Sequence, residues 1–336
     1  MTQLLGLTLL SLVITAILII PFIDFLYKIK LRRHDQITVD PFNKPTPVFD
    51  KFNNWKVGTP FGGGLLIICV STVIFLWSFG ILNVKINPLE IFAILFTFIS
   101  FGLLGLYDDG KKLTSGVKFP IFGLRLRYKF ILQWALAFVP ATILYTKLGY
   151  SFVFIHGIGL TDIGFLYIPF AAFVIVAFAN AFNITDGLDG LAPGLMLIAL
   201  VSFLAISYTN VDQSLGIFIA VLMGSIAAFL YFNIFKARIW LGDVGSMSLG
   251  ASFAIIGLLT GRTLAIVVIG GVFVLEVGSS LLQLLSKRFL GRRILPAAPL
   301  HLYFLKRGWD EPKIVMRAWL LGAFFAILGL YLALIK

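Results

Sequence analysis

The sequence predicts an all-α, polytopic integral membrane protein with about ten transmembrane helices. The 336 residues are 60% hydrophobic and only 12% charged, and the mean hydropathy is +1.01. Soluble domains carry about 25% charged residues, so half that share excludes an ordinary soluble fold. In a soluble protein, a net charge of +12 would suggest nucleic-acid binding. Here the basic loops of a membrane protein explain it, and we expect no nucleic-acid partner.

Apolar runs long enough to span a bilayer define the predicted helices. A spanning helix needs about 20 mostly apolar residues. Ten such runs occur, at 3–27, 61–83, 89–107, 130–146, 165–183, 191–208, 214–233, 246–260, 264–286 and 314–335. In the ninth run Gly270 and Gly271 precede the acidic Glu276, and such a helix is expected to bend or break. Close packing through small residues is the alternative interpretation.

The distribution of Lys and Arg predicts the orientation. The loops on one side carry 22 of these residues and the opposite side carries four. The basic loops are 28–60, 108–129, 184–190, 234–245 and 287–313. Cytoplasmic loops collect Lys and Arg, so we expect this side to be cytoplasmic and both termini to face outward. Ten of the 15 acidic residues lie in the same loops, which predicts an active site on the cytoplasmic face. No internal repeat is visible, and we expect one domain over 1–336.

The first polar cluster is GLYDDGKK, residues 105–112. Asp108 and Asp109 end a membrane helix, and two lysines follow, the second of which is Lys112. Adjacent carboxylates repel each other, so a site that holds both favours a cation or raises the pKa of one of them. Magnesium is commonly held by one or two carboxylates together with substrate phosphates. The alternative is an exposed glycine turn that caps the helix.

The second cluster is NAFNITDGLDGLA, residues 180–192. Its polar side chains recur every three residues, at Asn180, Asn183, Asp186 and Asp189. Such residues share one face where the chain is helical, and the intervening glycines allow close approach of a ligand. Ionisable groups at a membrane edge are costly, so they indicate a functional site. The alternative is a helix end whose polar side chains cap neighbouring helices.

Two further segments carry polar groups on the same face. IWLGDVGSMSLG, residues 239–250, contains Asp243, which alone could cap a helix. PAAPLHLYFLKRGWDEPK, residues 296–313, contains His301, and a lone histidine is more often a packing residue than a catalyst. Together, carboxylates from three loops on one face favour metal-assisted phosphoryl transfer on a lipid. A transporter is the alternative from another class, but its charges would lie near the midplane.

The motifs resemble those of the polyprenyl-phosphate N-acetylhexosamine-1-phosphate transferase superfamily, and within it those of the phospho-N-acetylmuramoyl-pentapeptide transferases. LYDDGKK is similar to the family's aspartate pair, and NAFNITDGLDGLA to its N-x-x-N-x-T-D-G-L-D-G-L. FNIFKARIWLGDVGSMSLG and KVGTPFGGG resemble two further family stretches. RGWDEPKIVMRAW, residues 307–319, is similar to a motif that favours the muramoyl branch. The resemblance covers most of the chain.

The resemblance implies an Mg²⁺-dependent step of peptidoglycan synthesis at the bacterial cytoplasmic, or inner, membrane. Undecaprenyl phosphate would attack the sugar-linked phosphate of UDP-N-acetylmuramoyl-pentapeptide, giving lipid I and UMP. The expected partners are therefore these two substrates and the lipid bilayer. The sequence leaves the oligomeric state open, with a homodimer as one alternative.

The resemblance also implies roles for individual residues. Catalysis is assigned to Asp108, Asp109 and Asp243, the first two holding or deprotonating the lipid phosphate. The metal ligands are Asp243 and Asp186. Substrate binding is assigned to Lys56, Lys112, Lys129, Asn180, Asn183, Asp186, Asp189, Asn233, Trp240 and His301. Among these, the lysines would meet phosphate or uracil groups, and Asn233 and Trp240 would line the uridine pocket.

One departure from the family pattern concerns the donor. The family's A-P-x-H-H-H corresponds to APLHLY at 298–303, so only His301 is kept, and Leu302 and Tyr303 replace the other histidines. A divergent lineage with the same reaction is the preferred explanation. The alternative is an enzyme that transfers N-acetylglucosamine 1-phosphate, or a related sugar phosphate, to undecaprenyl phosphate.

Overall fold

The structure, a computed structural model, is built almost entirely of helices. It describes residues 1–32, 56–82, 87–114, 126–155, 159–210 and 212–335, and within them every side chain except those of 112–114 and 264. The helices are α1 (Thr2–Lys28), α2 (Gly63–Ile81), α3 (Pro88–Thr114), α4 (Leu126–Thr146), α5 (Tyr167–Thr185), α6 (Leu191–Thr209), α7 (Gln213–Asn233), α8 (Gly242–Leu259), α9 (Thr263–Ile269), α10 (Gly271–Phe289), α11 (Leu300–Lys306) and α12 (Glu311–Leu334). A short antiparallel hairpin between α4 and α5 was not predicted; it consists of β1 (Phe152–Ile155) and β2 (Gly159–Asp162).

The membrane architecture matches the prediction from hydropathy. Within the described ranges, nine helices are long and apolar enough to cross a membrane, namely α1 to α8 and α12. The all-α, polytopic membrane fold is therefore confirmed. The remaining predicted span, 264–286, is divided at Gly270 into α9 and α10. A Cβ at Gly270 would collide with the rings of Phe178 and Phe253, so the break also allows close packing.

Helix α8 lies at the centre of the bundle and is almost wholly buried. It packs against α2, α3 and α5. A Cβ at Gly105 on α3 would collide with the backbone carbonyl of Asp243, and one at Gly64 on α2 would collide with the backbone of Gly245. Small residues thus let backbones approach closely, as is common between membrane helices. This packing brings the first turn of α8 against the C-terminal end of α3.

Several helices extend beyond the apolar runs that predicted them, among them α3, α4 and α8. Helix α3 continues to Thr114 instead of ending near 107, and α8 begins at Gly242 instead of 246. An apolar run reports where the chain leaves hydrocarbon, whereas a helix can continue into the cytoplasm. Consequently Asp108, Asp109 and Asp243 lie on helices rather than in loops.

Candidate active site

Lys129 connects two of the three predicted catalytic aspartates. Its ammonium donates to Asp108 Oδ2 at 2.9 Å and to Asp243 Oδ2 at 2.8 Å. The three side chains come from the C-terminal end of α3 and the first turns of α4 and α8. They are largely buried, with exposed fractions of 4% for Asp108, 14% for Lys129 and 17% for Asp243. A positive charge therefore lies between two carboxylates from separate helices.

The amide of Asn183 fixes the other side of the Asp243 carboxylate. Asn183 Nδ2 donates to Asp243 Oδ1 at 3.0 Å and to Ser246 Oγ at 2.7 Å. Both Asp243 oxygens thus accept hydrogen bonds, which sets the orientation of this side chain. Asn180, one turn earlier on α5, instead donates to Gln133 Oε1 on α4 at 2.8 Å. Sequence analysis gave Gln133 no role, because a single glutamine in an apolar run carries no motif.

The carboxylate of Asp109 has a different hydrogen-bond partner from that of its neighbour Asp108. Its Oδ2 accepts a hydrogen bond from the backbone N–H of Val244 at 3.1 Å. That N–H belongs to the first turn of α8, where a carboxylate is favoured by the unpaired amides and the helix dipole. Gly242, which has a positive φ of 72°, gives Asp109 room to reach this position. Contact between Asp109 and a lipid phosphate stays a prediction.

The surroundings of Asp186 disfavour the ionised form of its carboxylate. It follows the last residue of α5, and the chain from Asp186 to Gly190 is a non-helical turn. The helical face predicted for Asp186 and Asp189 is therefore absent. Burial, followed by the charge of Asp243, raises the pKa of Asp186 to about 8. Within the described ranges, no hydrogen-bond or ion-pair partner contacts its carboxylate.

The donor set fits a magnesium ion of the kind that relies on substrate oxygens. Among the residues that the structure describes, no three His, Cys, Asp or Glu side chains are grouped as metal ligands. Magnesium usually keeps several waters and takes one or two carboxylates with substrate phosphates, so two aspartates suffice. Asp186, whose ionised form is disfavoured by burial and by neighbouring carboxylates, would be stabilised by a divalent cation.

A buried triad of charged side chains lies near Asp186. Lys56 Nζ is 2.9 Å from Asp189 Oδ1 and 2.6 Å from Glu311 Oε1, and the Lys56 side chain is only 2% exposed. Glu311 Oε1 also accepts a hydrogen bond from the backbone N–H of Asp189 at 2.7 Å. Lys56 therefore neutralises two buried carboxylates, and its predicted contact with a phosphate or uracil group remains untested. Glu311 was counted among the cytoplasmic acids but was given no role, since its partners lie far away in sequence.

Asp189 also connects the turn at 186–190 to the segment before α8. Its carboxylate accepts hydrogen bonds from Trp240 Nε1 at 3.2 Å and from the backbone N–H of Ala237 at 2.9 Å. Asn233 makes a parallel connection, because it accepts from Gly190 N at 3.1 Å and donates to Ile239 O at 2.8 Å. Trp240 is half-buried, and the ammonium of Lys56 lies 5.4 Å from the centre of its ring.

His301 contacts the same turn at Gly187. Its Nδ1 lies 3.0 Å from Glu276 Oε2, and its backbone N–H donates to Glu276 Oε1 at 3.2 Å. A Cβ at Gly187 would collide with His301 Nε2, so the imidazole packs directly on the turn. Leu302 is buried in the hydrophobic core, and the ring of Tyr303 lies under Arg307 at 5.1 Å. The side chain of Lys112 lies outside the described residues.

Comparison with known proteins places this arrangement in a family. Residues 91–261 match the model of glycosyl transferase family 4. A relative from Rickettsia africae (strain ESF-5) is 38% identical, with 82% of this chain and 80% of the relative covered. One from Geobacillus sp. (strain WCH70) is 35% identical, with 96% and 95% covered. Both relatives bear the name phospho-N-acetylmuramoyl-pentapeptide-transferase.

The matches confirm the family predicted from the motifs and remove the transporter alternative. They extend over most of the chain, so they include both the aspartate cluster of α3 and α8 and the turn that follows α5. The chain is a multi-pass membrane transferase that belongs to glycosyl transferase family 4 and, within it, to the phospho-N-acetylmuramoyl-pentapeptide transferases.

Proposed function

We propose that this enzyme transfers phospho-N-acetylmuramoyl-pentapeptide from its UDP derivative to undecaprenyl phosphate, producing lipid I and UMP. The observation that carries the proposal is the cluster of Asp108, Lys129 and Asp243 beside the carboxyl group of Asp186. This cluster joins helix ends on the basic, predicted cytoplasmic face, where a soluble nucleotide and a membrane lipid can meet. The names of the relatives support the muramoyl donor. The corresponding location is the bacterial cytoplasmic membrane.

The chemistry needs positioned charges more than a strong protein nucleophile. An oxygen of the lipid phosphate attacks the sugar-linked phosphorus of the donor. The bond from that phosphorus to the bridging oxygen breaks, and UMP leaves. Phosphoryl transfer is accelerated mainly by alignment and by neutralisation of the phosphate oxygens. Lys129 is placed to neutralise negative charge, and Asp108 or Asp109 would hold the lipid phosphate or accept its proton.

The remaining site residues would bind the donor nucleotide and the metal. Mg²⁺ would be held by Asp243 and Asp186 and would neutralise charge on the diphosphate. The half-buried indole of Trp240 would line the pocket for the uracil ring, and Asp189 and Asn233 hold the surrounding backbone. His301, packed on Gly187, would support the turn that carries Asp186.

The test is UMP release by the purified protein in detergent. We expect release to require undecaprenyl phosphate, Mg²⁺ and UDP-N-acetylmuramoyl-pentapeptide together. Asp243→Ala should abolish it, whereas Asp24→Asn, a change at an exposed acid on α1, should leave it unchanged. Release without the lipid would indicate simple hydrolysis and refute the transfer. Release of UMP from UDP-N-acetylglucosamine but not from UDP-N-acetylmuramoyl-pentapeptide would show that the enzyme uses the alternative donor.

A further inference from the structure

A groove lies beside the first turns of α12, next to the buried triad of the candidate active site. It has a volume of about 770 Å³. Its lining includes Phe235, Leu305, Trp309, Lys313, Met316 and Arg317. Pockets of this size accommodate small ligands. The groove therefore has room for part of a lipid as well as for ions and water.

The position of the groove is set by the exposed face of α12. Large apolar side chains are exposed along this helix at intervals of three and four residues, which is one helical stripe. They are Met316, Leu320, Phe324, Ile327 and Tyr331. On a membrane-spanning helix, such a stripe faces the hydrocarbon of the bilayer. Met316 belongs both to the stripe and to the groove, so the groove opens toward lipid.

Two cations lie at the top of this stripe, around one indole ring. The guanidinium of Arg317 is 4.4 Å and the ammonium of Lys313 is 5.5 Å from the centre of the Trp309 ring. Neither cation has an ion-pair partner in the part of the chain that the structure describes. Arg317 follows Glu311 by six residues, which is about 9 Å along the helix. Both cations thus lie near the start of the candidate span Glu311–Leu334, where the interface between headgroups and hydrocarbon is expected and where Trp is also enriched.

The acids of the lining do not balance these cations. The carboxylate of Glu311 is turned inward and paired with Lys56 at 2.6 Å. Among the described lining residues, the exposed Asp310 is then the acid that remains to offset the positive charges of Lys313 and Arg317. The groove therefore presents a net positive charge directly above an apolar stripe. Anionic lipids combine the complementary features, a negative headgroup above an apolar chain.

We propose that this groove binds an anionic phospholipid of the leaflet on the basic side of the membrane. The headgroup phosphate lies between Lys313 and Arg317 beside Trp309, and an acyl chain follows Met316, Leu320 and Phe324. Basic residues next to a membrane attract anionic lipids in this way. The proposal concerns a structural lipid and does not depend on which UDP donor the enzyme uses.

The test is native mass spectrometry of the protein in detergent with added phosphatidylglycerol or phosphatidylcholine. We expect the wild-type protein to retain more phosphatidylglycerol than phosphatidylcholine. Each cation contributes about fivefold to the affinity for an anionic lipid, so Lys313→Gln/Arg317→Gln should weaken phosphatidylglycerol binding about 25-fold. Phosphatidylcholine binding should not change. The matched control is Arg292→Gln/Arg293→Gln, which removes two exposed cations outside the groove.

Three results would overturn the proposal. Equal retention of both phospholipids by wild type would show that the charge is not recognised. Wild-type phosphatidylglycerol binding by the Lys313/Arg317 variant, folded as judged by its thermal unfolding midpoint, would place the lipid elsewhere. Displacement of phosphatidylglycerol by undecaprenyl phosphate, with a raised KM for that substrate in the variant, would assign the groove to the acceptor.

Discussion

Lys56 provides the sharpest test of the buried triad. Lys56→Met keeps most of the side-chain length but removes the ammonium that lies 2.9 Å from Asp189 and 2.6 Å from Glu311. Both carboxylates are nearly inaccessible to water, so the change leaves two buried acids facing each other without a cation. Removing one partner of a buried ion pair costs about 3–5 kcal/mol of unfolding free energy. For a chain of this size the thermal midpoint should fall by on the order of 10 °C.

The assay is thermal unfolding of the purified protein in detergent, with a second variant that isolates the cause. Lys56→Met/Glu311→Gln removes one of the two orphaned charges, so it should recover part of the lost stability. Lys28→Met, at an exposed lysine of α1, is the matched control and should unfold at the wild-type midpoint. A wild-type midpoint for Lys56→Met, accompanied by a raised KM for the donor, would refute the triad. Lys56 would then be free to bind a substrate phosphate, as the family resemblance implied.

Three further substitutions test the site and its packing. Lys129→Met removes the cation shared by two carboxylates, so kcat should fall about a hundredfold or more. The Mg²⁺ concentration for half-maximal activity should also fall, because the ammonium that competes with the metal is lost. An unchanged kcat would exclude Lys129 from the catalytic site. Gly105→Ala forces a Cβ into the backbone of α8 and should lower the free energy of unfolding by about 1–3 kcal/mol. The control Gly80→Ala, whose Cβ meets nothing within 4 Å, should leave that free energy unchanged. Equal thermal midpoints for the two variants would contradict the close helix crossing. Gly187→Ala would displace the His301 ring, so activity should fall with little change in the unfolding midpoint, and full activity would show that this contact is dispensable.

Hydropathy predicted the membrane-spanning helices because bilayer thickness sets how long an apolar run must be. All ten apolar runs correspond to helical segments, and the break in the ninth follows from its paired glycines. The helix ends were predicted less well. Polar residues such as Asp108 need not end a helix once it has left the hydrocarbon, so α3 continues to Thr114. The hairpin β1–β2 carries no pattern strong enough to identify two strands of four residues each.

The sequence predicted which polar residues gather but not how they pair. Asp108, Asn183 and Asp243 converge as their shared membrane face suggested. The pairs that link distant segments were not predicted, because spacing within a motif says nothing about contacts across the fold. Lys56 and Glu311, for example, are 255 positions apart. The tight pairing of Glu276 with His301 likewise became visible only once α10 and α11 were placed together.

The measurement that tests the central claim most directly is the identity of the lipid product under competition. The wild-type protein would receive UDP-N-acetylmuramoyl-pentapeptide and UDP-N-acetylglucosamine at equal concentrations, with undecaprenyl phosphate and Mg²⁺, and the products would be identified by mass spectrometry. We predict lipid I as the product, and none from Asp243→Ala. Undecaprenyl-diphospho-N-acetylglucosamine as the main product would contradict the donor assignment. Consumption of neither donor by folded protein would contradict the proposed transfer itself.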